Sequence, residues 1–127
     1  MRNAALRALT GGVLALGALG ALGGCGLVGD DNSAQVCADT RKAFEQYITQ
    51  VKGVAANEPA QWRQVTEQLA VRVEKLSAQA EDPEVRKALK DEAGRLRGAA
   101  ASVGTGDAAQ LTEVMSQTPQ RIGRACS

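Results

Sequence analysis

From Ser33 onward, apolar residues recur every three or four positions, the spacing of one face of an α-helix. Cys37, Phe44, Ile48, Val51 and Ala55 form a first stripe, with steps of seven, four, three and four. Asn32 or Ser33 is placed to cap it, Arg41 interrupts it, Tyr47 flanks it, and the helix is expected to stop near Ala56 and Asn57. Asn57-Glu58-Pro59 then reads as a start, because proline is tolerated in a first turn that needs no N–H. Trp62, Val65, Leu69, Val73, Leu76 and Ala80 follow, the cleanest amphipathic stretch in the chain. Asp82-Pro83-Glu84 is a second start, with a capping carboxylate and an acid in the first turn. Behind it come Val85, Ala88, Leu89, Leu96, Ala99, Ala100 and Val103, with Glu92 breaking the stripe and Val103 to Gly106 ending it. Asp107-Ala108-Ala109-Gln110 has the form of a capping box with Asp in place of Ser or Thr. Leu111, Val114, Met115, Thr118, Ile122 and Ala125 carry a fourth helix, which Pro119 is expected to kink or to restart with Thr118 as a fresh cap. No alternating strand pattern competes. Four helices with short connections predict an all-α, up-down-up-down four-helix bundle over residues 33–127.

The first 32 residues have a different character. Arg2 and Arg7 give a positive start, Ala8 to Leu22 is apolar and uncharged, and the run ends in Leu22-Gly23-Gly24-Cys25. This is the layout of an export signal. A membrane-spanning helix is the competing interpretation, but the run is short, glycine-rich and closed by small residues. The absence of a twin-arginine pair points to the general export route. Leu22, Gly23, Gly24 and Cys25 resemble the lipobox of bacterial lipoproteins. The resemblance implies a diacylglyceryl group on the Cys25 sulfur and cleavage after Gly24. The expected organisation is a signal peptide over 1–24, a lipidated tether over 25–32 and the bundle over 33–127. The tether is glycine-rich and spans at most about 28 Å, so the bundle is expected close to the outer face of the cell membrane.

Cleavage would leave 103 residues, one small domain. A core of that size benefits from a covalent staple. Cys37 and Cys126 are an even pair in an oxidising compartment, which predicts one disulfide; small buried hydrophobes or reactive thiols are the alternatives. The bundle geometry bears on the choice. With an even number of antiparallel helices both cysteines sit at one end, whereas three helices would hold them roughly 30 Å apart. A disulfide needs Cα atoms within about 7 Å.

Composition narrows the chemistry. There is no histidine, so neither a Ser-His-Asp nor a Cys-His arrangement can form, and a zinc site would have only two sulfurs. No catalytic residues, metal site or cofactor are expected, and no enzymatic activity. Without Arg2 and Arg7 the side chains sum to about −1, which gives no long-range attraction to nucleic acid. Acidic pairs such as Glu81-Asp82 and Asp91-Glu92 read as caps and solvated surface. Arg86, Lys87, Lys90, Arg95 and Arg97 make the third helix locally basic, with Asp91 placed to pair with Arg95. Trp62 is expected to seal one end of the core with its N–H toward solvent. Gly94, Gly98 and Ser102 form a smooth strip that can admit another helix, either a partner's or one within the bundle.

Taken together, the chain resembles the small, helical, alanine-rich lipoproteins and secreted proteins of actinobacteria, through the lipobox and the cysteine-clamped bundle. The resemblance implies a location in the cell envelope and little else; the expected role is a non-catalytic binding or accessory module, anchored through Cys25 and facing another envelope protein. The alternative is a carrier or sensor of a small apolar ligand held between the helices.

Overall fold

The computed structural model describes residues 31–127. They form four helices: α1 (Ser33–Val51), α2 (Pro59–Gln79), α3 (Pro83–Gly104) and α4 (Ala109–Ala125). No strand occurs among the described residues. Residues 1–24 and Cys25, on which the signal and the lipid site fall, lie outside them.

The helix boundaries follow from local chemistry. Pro59 and Pro83 stand in the first turns of α2 and α3, where no N–H is missed. The Asp82 carboxylate caps α3 by accepting the N–H groups of Glu84 at 2.7 Å and Val85 at 3.2 Å. Gly106 closes the α3–α4 turn at φ +93°, a conformation that favours glycine. Asp107 accepts the Ala109 N–H at 3.0 Å, but Gln110 does not reach back to complete a capping box; it turns to Ser102 on α3.

Three further expectations are corrected. α1 ends at Val51, not near Ala56, because the chain turns through Lys52 and Gly53. The Ala55 carbonyl then accepts the Trp62 indole N–H at 3.0 Å, so that N–H latches the α1–α2 loop at the surface and is not left to solvent alone. Of the two expectations for Pro119, the restart is the one overturned: α4 runs through Pro119 as one helix, and Thr118 is buried instead of serving as a fresh cap.

Asn32 also does something other than cap its own helix. Its side-chain N–H donates to the Gln79 carbonyl at 2.8 Å, and its oxygen accepts the Glu81 N–H at 3.0 Å. The root of α1 is thereby tied to the α2–α3 turn. Arg86 completes that turn: its guanidinium donates twice to the Ala80 carbonyl, at 3.0 and 2.8 Å, while Ser77 donates to the Arg86 carbonyl.

α3 is the central helix. Val85, Leu89, Ala93, Leu96, Ala99, Ala100 and Val103 are buried along it. Its packing against α2 is the most extensive in the fold, followed by α3 on α4 and α1 on α2. Small side chains permit this closeness: Ala43, Ala70, Ala93, Ala99 and Ala100 have no solvent exposure.

On α1 and α2 the buried face is rotated from the expected stripe. α1 buries Val36, Thr40, Ala43 and Tyr47, while Ile48 is 45% exposed. α2 adds Thr66, Ala70 and Ser77 to Leu69 and Val73, with Trp62, Val65 and Leu76 only half-buried. Threonine is the reason. Thr40 donates to the Val36 carbonyl at 2.8 Å and Thr66 to the Trp62 carbonyl at 2.7 Å, so each hydroxyl is satisfied within its own helix and can be buried.

Tyr47 is the only tyrosine, and its hydroxyl shares a 2.9 Å hydrogen bond with Thr66 in the core. Burial pushes its pKa above the ordinary 10.0; the Thr66 hydroxyl, which can donate to a tyrosinate, pulls the other way more weakly. The folded state therefore holds the phenolic proton more tightly than the unfolded state. That contribution is present below pH 10 and is lost as pH rises through the folded value. An absorbance titration of tyrosinate should lag behind free tyrosine, and alkaline destabilisation should be weaker in Tyr47→Phe. A titration midpoint at or below that of free tyrosine would contradict the burial.

Candidate functional site: the groove between α1 and α4

Cys37, in the second turn of α1, and Cys126, which caps the end of α4, are joined by a disulfide with Cα atoms 5.9 Å apart. The two cysteines therefore occupy one end of the bundle, the same end as the Asn32 contacts. α1 and α4 are not among the extensively packed helix pairs. Below the disulfide they leave a groove of about 370 Å³.

The groove is built from two helix faces. α1 contributes Thr40, Phe44 and Ile48, and α4 contributes Met115, Thr118, Pro119 and Ile122. These include the apolar positions on α1 that the sequence stripe assigned to the core. Phe44, Met115 and Ile122 are half-buried against the core edge. Arg41 and Glu45, one helical turn apart, stand on the α1 side. The two threonine hydroxyls are already engaged: Thr40 donates to the Val36 carbonyl at 2.8 Å, and the single Thr118 proton is shared between the Val114 carbonyl, at 2.8 Å, and the Glu92 carboxylate. The floor therefore offers little hydrogen-bonding capacity to a ligand.

Behind Thr118 lies an acidic side chain whose burial is missed by reading Glu92 as a break in the stripe. Glu92 has no solvent exposure. Its Oε1 accepts from the Thr118 hydroxyl. Its Oε2 lies 3.7 Å from the Arg95 guanidinium and has no hydrogen-bond partner. Arg95 thus pairs with Glu92 and not with Asp91 as expected. The spacing carried the signal: Glu92 stands three residues after Leu89 and four before Leu96, within the buried stripe. Elsewhere on the basic face, Arg97 pairs with Glu74 of α2 and Arg86 is consumed by the α2–α3 turn.

A family described as Domain of unknown function (DUF8711) matches residues 31–127, the whole of the bundle. The chain belongs to this family. No curated protein and no solved structure matches it. Groove, clamp and buried carboxylate all lie within the DUF8711 domain.

The remaining sequence-predicted positions are dispersed over this domain. Gly94 faces open space, whereas Gly98 and Ser102 face Gln110 at the start of α4. A Cβ on Gly98 would stand 2.8 Å from the Gln110 amide nitrogen, and the Ser102 hydroxyl donates to Gln110 Oε1 at 2.7 Å. Leu22, Gly23, Gly24 and Cys25 lie outside the described residues. Among the described residues no cluster of three or more His, Cys, Asp or Glu is placed to hold a metal, and no helix is long and apolar enough to cross a membrane.

Proposed function

We propose that this chain is a lipid-anchored, non-catalytic binding module of a bacterial cell envelope. In this reading Cys25 carries a diacylglyceryl group after cleavage behind Gly24. The up-down-up-down bundle is held on the extracytoplasmic face of the cell membrane by the tether over 25–32. The observation that carries the binding role is the groove: three helix pairs close the bundle by packing, and the fourth side is spanned by the disulfide above an apolar slot. An oxidised cysteine pair suits an exported protein.

The groove volume of about 370 Å³ falls within the range of small-molecule sites. Ile48 and Val71, on different helices, are the exposed large hydrophobic residues among those described, and do not amount to a broad protein-docking patch. Size and surface therefore favour a small apolar ligand over an envelope-protein partner as the occupant. Substituting Cys25→Ala should shift the protein from the membrane fraction to the soluble fraction on cell fractionation. An undiminished membrane fraction after a detergent-free wash would overturn the anchor.

A further inference from the structure

We infer that the α1–α4 groove accommodates a single hydrocarbon chain, the acyl chain of a lipid, an assignment that rests on the binding role proposed above and names its occupant. Shape is the first argument. From Cys37 to Ile48 the slot runs along eleven residues of α1, about 16 Å of helix, and it is roofed at one end by the disulfide. Its volume of about 370 Å³ is spread along that length. Such a slot suits an unbranched chain better than a ring system or a second helix.

Chemistry is the second argument. The walls are Phe44, Ile48, Met115, Pro119 and Ile122. The methionine side chain, unbranched and polarizable, adapts to a flexible chain. On the floor, the Thr40 hydroxyl is turned onto the Val36 carbonyl, and the Thr118 hydroxyl onto the Val114 carbonyl and the buried Glu92 carboxylate. Pro119 has no N–H. A ligand with polar atoms along its length would lose its own hydrogen bonds to water on entry and find little to replace them. A hydrocarbon chain has none to lose.

Charge is the third argument. Arg41 and Glu45 share one side of the groove with opposite signs, so the net field there selects neither an anionic nor a cationic head group. Recognition is by the chain. The acyl chain can come from a free lipid or from the group on Cys25, and the test separates the two.

Cells producing the full-length protein, or its Cys25→Ser variant, are supplied with palmitic acid carrying a diazirine. A parallel culture receives the corresponding alcohol. After irradiation, adducts are located by mass spectrometry of peptides. Adducts should concentrate on residues 41–48 and 115–123 with both probes. Ile48→Glu, a substitution at an exposed position that the fold tolerates, should reduce them about tenfold by placing a charge in the slot. Retention of labelling in Cys25→Ser assigns the chain to a free lipid, and loss assigns it to the protein's own anchor; both support an acyl occupant. Equal labelling around exposed Val71, or labelling undiminished by Ile48→Glu, overturns the inference. Groove adducts on protein whose Cys25 is unmodified would leave this inference standing and defeat the anchor. Lipidated Cys25 without groove adducts would do the reverse.

Discussion

Cys37→Ser should lower the unfolding free energy by about 4–5 kcal/mol, the loop-closure term for a cross-link spanning 89 residues. For a domain of this size that corresponds to a fall in melting temperature of roughly 20 °C. The total stability expected of such a domain is about 5–15 kcal/mol, so the bridge is a large part of it. The loss has a structural location. Packing joins α1 to α2, α2 to α3 and α3 to α4, whereas α4 returns to α1 chiefly through sulfur. Without the bridge, the end of α4 beyond Pro119 is held by half-buried Ile122 and Ala125. Thermal unfolding of the oxidised protein, the reduced protein and Cys37→Ser provides the measurement. Reduced and substituted forms should coincide. A shift of only a few degrees would mean that packing alone closes the fourth side.

Thr118→Val should destabilise the fold by about 1–3 kcal/mol, although valine is nearly isosteric with threonine and more apolar. It removes the hydroxyl that serves Glu92 Oε1 and leaves an unexposed carboxylate with the Arg95 guanidinium at 3.7 Å as its remaining partner. Glu92→Met should act in the opposite direction, neutral to stabilising. It removes the buried charge at similar volume, Thr118 keeps the Val114 carbonyl, and Arg95, already 40% exposed, turns to water. Glu92→Met combined with Thr118→Val should then cost less than Thr118→Val alone, a coupling visible in a double-mutant cycle. Denaturant midpoints at constant slope report all four proteins. A more stable Thr118→Val would show that the carboxylate does not depend on the hydroxyl.

These expectations differ in how far the sequence anticipates them. Helix starts are legible because Asp82-Pro83 and Pro59 act locally, and the clamp because two cysteines remain once Cys25 is set aside. The buried faces of α1 and α2 are not, because a count of apolar residues passes over Thr40 and Thr66. Each hides its hydroxyl against a carbonyl four residues earlier and packs as if apolar. Omitting them turns the inferred stripe toward Cys37, Phe44 and Ile48. The error is informative: those residues make the α1 wall of the groove. Glu92 escapes notice because a carboxylate reads as surface unless its place between Leu89 and Leu96 is weighed against its charge. The Trp62 latch and the Asn32 bridge involve main-chain groups 7 and 47 residues away, which no local pattern encodes.

The position of Cys37 also governs how the domain bears mechanical load. A pull on the residues preceding Asn32 meets the Gln79 and Glu81 hydrogen bonds first. If they yield, only the opening turn of α1 can unwind before tension reaches a covalent S–S bond. From there it passes directly to Cys126 at the end of α4, and the intervening helices lie in the loop that this bond closes. Load applied at the leading end is thus stopped at sulfur before α2 and α3 are reached.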